Sequence, residues 1–77
     1  MNRYVIRGNI ARHLVRKGWT QKQLAERIGL TESTMSRYMN GTRQPTAYAL
    51  LRMSRAFGCT VDDLVQGLDD NTEVKHE

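Results

Sequence analysis

Apolar residues recur along this chain with the spacing of helices. Ile6, Ile10 and Leu14 stand at i, i+4 and i+8; Leu24, Ala25 and Ile28 form a second group, and Met35, Tyr38 and Met39 a third. Leu50, Met53, Ser54 and Phe57 follow at i, i+3, i+4 and i+7, and Val61, Leu64 and Val65 close the pattern. No stretch alternates with period two for long enough to make a strand. The punctuation agrees with the periodicity. Gly18, Gly29, Gly41, Gly58 and Gly67 fall where left-handed residues stop helices. Thr20, Thr31, Thr46 and Thr60 fall where a side-chain oxygen caps the next one, and Thr20 with Gln23 also fits a capping box. Five stops and four threonine starts predict an all-α chain of five short helices: one ending at Lys17, then 21–28, 32–40, 47–57 and 61–66. The start of the first is open, because Gly8 and Asn9 interrupt its pattern: it begins either near Asn2 or at Asn9, as a cap.

With 77 residues and 39% hydrophobic content, the chain has material for one modest core. We place that single domain at residues 1–67 and expect the acidic tail, 68–77, to be disordered. The tail sets Asp69, Asp70, Glu73 and Glu77 against Lys75, a net of −3. The whole chain is +4, so residues 1–67 carry +7, from eleven Arg and Lys against Glu26, Glu32, Asp62 and Asp63. So basic a domain points to a polyanionic partner, although a merely well-solvated surface also satisfies the charge. A lone cysteine, Cys59, excludes an intramolecular disulfide and favours a reducing compartment. No apolar run approaches the ~18 residues of a membrane span, and the first residues have no apolar signal core. A cytoplasmic location is the expectation.

The second and third helices are joined by Gly29-Leu30-Thr31, a connection short enough to set them at a steep angle. Ala25 is small enough for close approach, and Leu24, Ile28, Leu30, Met35 and Tyr38 can fill the space between them. With Ala25, Met35 and Tyr38 turned inward, Glu32, Ser33, Ser36 and Arg37 turn outward from the start of the third helix. Polar side chains of mixed length, so placed, suit the edges of bases in a major groove.

The stretch Thr20-Gln21-Lys22-Gln23-Leu24-Ala25-Glu26-Arg27-Ile28-Gly29, with Met35-Ser36-Arg37-Tyr38-Met39-Asn40-Gly41 after it, resembles the helix-turn-helix of lambda-repressor/Cro-like (xenobiotic-response-element) transcriptional regulators. That twenty-residue motif has alanine fifth, glycine ninth and an aliphatic residue fifteenth; counted from Gln21, these are Ala25, Gly29 and Met35. Gly18-Trp19-Thr20 before the motif, Asn40-Gly41 and Pro45 after it, and a leucine-rich fourth helix extend the likeness over about residues 6–66. The resemblance implies a compact five-helix lambda-repressor-like DNA-binding domain. It further implies a small repressor or Cro-like regulator that binds double-stranded DNA as a homodimer on an inverted repeat. Thr31, Glu32, Ser33 and Arg37 match the family's base-contact positions, and Ser36 shares their face. Arg37 would donate to guanine O6 and N7; Glu32 would accept from cytosine N4, or serve only the helix dipole. Gln21 matches a phosphate-contacting glutamine, Thr20, Asn40, Thr42 and Arg43 match backbone-lining positions, and Lys22 adds charge beside them. One departure stands out. Where many relatives pair an arginine of helix one with a glutamate of helix three, this chain has Leu14 and Met39, so an apolar contact is expected in place of the ion pair.

Little else suggests chemistry. His13 and His76 are too far apart in sequence to suggest a metal site, and Cys59 has no ligand or redox partner nearby in sequence. Asp62 and Asp63 suit a helix N-terminus, Trp19 is expected between helices one and two, and no base is set beside Ser33, Ser36 or Ser54. We therefore expect no enzyme activity, cofactor or metal. The competing reading is a protein-interaction module on the same fold, such as an antitoxin or anti-regulator. A large apolar patch on the outer face of helix three would favour it.

Overall fold

The structure, a computed structural model, describes residues 4–67. Five helices follow in order: α1 (Tyr4–Lys17), α2 (Gln21–Ile28), α3 (Glu32–Met39), α4 (Ala47–Phe57) and α5 (Val61–Val65). There is no strand among the described residues. The tail beyond Gly67 and the region of Asn2 lie outside them.

The punctuation read from the sequence is realised residue by residue. Thr20, Thr31, Thr46 and Thr60 each accept a hydrogen bond from the backbone N–H three residues on. All five predicted stop glycines have positive φ. One cap exceeds the expectation: Asp63, read only as a dipole partner, closes a second capping box. Its Oδ2 accepts from the Thr60 N–H at 3.0 Å while Thr60 Oγ1 accepts from the Asp63 N–H at 3.1 Å. The Thr60 N–H, with the Thr60 side chain adding to it, holds the Asp63 carboxyl below its ordinary pKa.

The core joins all five helices. Ile6, Ile10 and Leu14 of α1 meet Leu24, Ala25 and Ile28 of α2, Met35 and Tyr38 of α3, Leu50, Met53 and Phe57 of α4, and Leu64 of α5. Leu14 is in this core and Met39 is half-buried against it, so both replacements of the expected ion pair are packed apolar residues.

Of the two starts left open for α1, the one at Asn9 falls. Asn9 caps nothing: α1 runs unbroken through Gly8 and Asn9, and Asn9 is buried. Its Nδ2 donates to the carbonyls of Leu64 at 2.8 Å and Gln66 at 2.9 Å, and its Oδ1 accepts from Arg12. A polar side chain is therefore buried where α1 ties down the end of α5, with its donors and acceptor satisfied. Trp19, at the junction of α1 and α2, has the Lys17 ammonium of α1 5.8 Å from its ring centroid. It stacks on Phe57 of α4 at 5.8 Å, with the Arg27 guanidinium 4.0 Å from its ring centroid. The ring of His13 lies on Phe57 as well, at 5.0 Å.

Candidate nucleic-acid interface

α2 and α3 meet across a turn that leaves little freedom. Gly29, at φ 75°, ends α2 in the left-handed region, where its N–H donates to the carbonyls of Ala25 and Glu26. Leu30 N–H donates to Ala25 O at 2.9 Å. Thr31 then caps α3, accepting from the Thr34 N–H at 3.1 Å and donating its hydroxyl to Thr34 Oγ1 at 2.9 Å. The half-buried Thr34, absent from the sequence-based set, thus fixes how α3 begins.

Met35 and Tyr38 are buried, with 0% and 4% of their surface exposed, and they decide which face of α3 looks outward. At 100° per residue, burial of these two leaves Glu32, Ser33, Ser36 and Arg37 outside. All four are exposed. So are the other predicted contact residues: Thr31 at the cap, Thr20, Gln21 and Lys22 at the start of α2, and Asn40, Thr42 and Arg43 after α3. Among the described residues, the large apolar ones that remain exposed, Val15, Tyr48 and Leu51, belong to α1 and α4, so α3 presents no such patch.

The predicted residues fall into two local groups. In one, the loop after α3 folds back on the helix. Thr42 N–H and Arg43 N–H both donate to Arg37 O, at 3.1 and 3.3 Å, and Asn40 Oδ1 accepts from the backbone and hydroxyl of Thr42 at 3.0 and 2.8 Å. Arg37, Asn40, Thr42 and Arg43 are thereby brought together. In the other, Thr20 N–H donates to Gln23 Oε1 at 2.8 Å and Thr20 Oγ1 accepts from Gln23 N–H at 3.1 Å. That box takes up the Gln23 amide and leaves those of Gln21 and Lys22 without intrahelical acceptors, as at any helix start. Four of the residues read as contacts, Thr20, Thr31, Asn40 and Thr42, therefore also hold the local backbone in shape.

Sequence reasoning missed two arginines. Arg52 of α4 donates from Nη1 to Ile28 O at 2.6 Å, at the end of α2. Arg7 of α1 donates from Nη1 to Met39 O at 2.9 Å, at the end of α3. Neither contact is periodic or local, so no spacing in the chain announces it.

A cleft of about 590 Å³ is lined by His13, Arg16, Phe57, Cys59 and Asp63 among others, and none of the predicted contact residues borders it. Burial lowers the His13 pKa from its ordinary value, with Arg16 adding to the effect, and burial raises that of Cys59. Among the described residues there is no group of three metal-ligating side chains, and no helix is long and apolar enough to cross a membrane. A convex helix face flanked by polar loops is the shape that enters a groove, not one that encloses a small molecule.

Residues 10–64 match the model of the helix-turn-helix family. Over 68 residues, 88% of each chain, the protein is 31% identical to an uncharacterised HTH-type transcriptional regulator, y4dJ, of Sinorhizobium fredii. Its fold is similar to that in the crystal structure of a hypothetical transcription factor, NHTF, from Neisseria. The TM-score is 0.80, covering 94% of this chain and 83% of that one at 24% identity. The short threonine-capped helices, the glycine turn before α3 and the polar outer face of that helix are thus those of a lambda-repressor/Cro-like helix-turn-helix regulator, the family to which this chain belongs.

Proposed function

We propose that this protein binds duplex DNA sequence-specifically as a small transcriptional regulator, repressor or Cro-like, with α3 in the major groove. The observation that carries the reading is the division of α3. Met35 and Tyr38 are locked in the core, while Glu32, Ser33, Ser36 and Arg37 stand exposed on the opposite side. Arg37 supplies a planar fork of donors for guanine O6 and N7, and the shorter hydroxyls and Glu32 accommodate neighbouring base edges. The Gln21 and Lys22 amides at the start of α2 suit a phosphate, as helix N-termini do, and Arg43 and Lys22 add charge. Thr20, Asn40 and Thr42 line the backbone on either side. A net +7 over residues 1–67 supplies the sequence-independent attraction. The protein acts as a two-fold dimer, without metal or cofactor, in the compartment that holds the DNA.

Selection from a random pool of duplexes, followed by binding at several salt concentrations, tests this reading. It should return an inverted repeat with half-sites about 10 base pairs, ~34 Å, apart. Log affinity should fall linearly with log salt. A pool with no enriched sequence, or binding indifferent to salt, would contradict it. A single asymmetric element bound by a monomer would remove the dimer.

A further inference from the structure

Arginines of two other helices reach the end of α2, just before the turn into α3, and the far end of α3. At the turn before it, Arg52 reaches the carbonyl of Ile28, the last residue of α2, at 2.6 Å. Its Nη2 donates to the Tyr48 hydroxyl at 2.8 Å, and the guanidinium lies 4.6 Å from the Tyr48 ring centroid. At the far end, Arg7 reaches the carbonyl of Met39, the last residue of α3, at 2.9 Å. Each carbonyl is one that a helix leaves without an intrahelical donor, at the end where its dipole is negative. A guanidinium suits both.

From this arrangement we infer that Arg52 and Arg7 are positioning residues for DNA recognition: they set the tilt of α3 from outside, without touching DNA. The inference rests on the reading of α3 as the recognition helix. Eight residues make a helix about 12 Å long, so a tilt of about 5° about the turn displaces its far end by about 1 Å. That shift is enough to spoil a bidentate contact, whose distance and angle tolerances are narrow. The turn cannot resist such a tilt through a side chain at position 29, because that residue is glycine. A Cβ there would come within 2.9 Å of Arg52 Nη1, so the arginine occupies the space that the glycine leaves. Tyr48 has a matching role. It is 63% exposed, unusual for an aromatic ring, and its one face backs the guanidinium and keeps the long side chain extended toward Ile28.

The test compares wild type with Arg52→Met, Arg52→Lys and Arg7→Met. Binding is measured on the selected duplex, on its single-base variants and on an unrelated duplex, and amide hydrogen exchange is followed without DNA. Arg52→Met should lose roughly tenfold in preference for the selected duplex, spread over several base positions, as expected for loss of one charge-assisted hydrogen bond. Affinity for the unrelated duplex should change by no more than about twofold, because no phosphate contact is lost. Arg52→Lys keeps the charge but lacks the fork, so it should lose preference in the same way. Arg7→Met should do likewise. In the free protein, amides of α3 should exchange faster in the variants while those of α1 and α4 do not. Full preference with unchanged α3 protection overturns the inference. So does an even loss of protection through the core with preference intact, the mark of a merely stabilising residue. Should wild type prefer no duplex, the recognition reading falls, and the tether is then decided by the exchange pattern alone.

Discussion

Gly29→Ala and Gly58→Ala look like the same substitution and should not behave alike. Both glycines end a helix in the left-handed region, at φ 75° and 74°. Alanine carries the same backbone penalty at each, roughly 1 kcal/mol. At Gly58 a new Cβ meets nothing within 4 Å. At Gly29 it arrives 2.9 Å from Arg52 Nη1. The tip of Arg52 swings aside easily, but only by giving up its 2.6 Å bond to Ile28 O. A hydrogen bond from a charged donor contributes about 1.5–3 kcal/mol, and this half-buried one belongs at the lower end. Gly29→Ala should therefore cost about 2–3 kcal/mol against about 1 kcal/mol for Gly58→Ala. In a domain this small, each kcal/mol lowers Tm by roughly 4–8 °C. Urea unfolding followed by circular dichroism measures both, and a double-mutant cycle with Arg52→Met isolates the contact. In the Arg52→Met background the cost at position 29 should fall to the Gly58 value. Equal costs at the two glycines in the wild-type background would refute the reasoning.

Asn9→Ala removes the donors to the Leu64 and Gln66 carbonyls and should destabilise by about 2–3 kcal/mol in the same assay; a loss below about 0.5 kcal/mol would show that α5 does not need the tie. His13 is harder to protonate in the folded chain than in the unfolded one, chiefly through burial and then through Arg16. The unfolded chain therefore binds more protons just below the ordinary value of 6.5, and stability is full above that pH and declines as pH falls through it. His13→Gln should flatten this part of the stability–pH profile, and an unchanged slope would contradict the assignment.

The last four helices were legible because each carries its own start and stop, whereas α1 announced only its stop. Threonine caps and glycine ends are local signals, and Thr20, Thr31, Thr46 and Thr60 sit where local chemistry requires them. The outward face of α3 was legible for a related reason, since burial of Met35 and Tyr38 fixes the rest of a rigid helix. The start of α1 stayed open between Asn2 and Asn9 because a Gly-Asn pair looks like punctuation. Yet Asn9 lies three residues after Ile6 and beside Ile10, on the buried stripe, and its partners are 55 and 57 residues away. Adjacency in sequence suggested α1 and α2 for Trp19, and Lys17 and Arg27 do flank its ring, but the stacking partner, Phe57, comes from α4, which no local signal announces. The reach of Arg7 and Arg52 had no sequence signal at all, because an arginine that caps a distant carbonyl reads as one more solvated charge.

The central claim is that α3 reads base sequence, and Arg37 tests it most directly. Binding of wild type, Arg37→Ala and Arg37→Lys is measured at fixed salt on the selected duplex and on every single-base variant of it. The account predicts that Arg37→Ala loses about 1–3 kcal/mol on the selected duplex and relaxes preference at one G·C position per half-site. Arg37→Lys keeps most affinity for unrelated DNA and loses part of that discrimination. An equal loss on every duplex would make Arg37 a phosphate contact, and no loss on any of them would contradict the claim that α3 reads DNA.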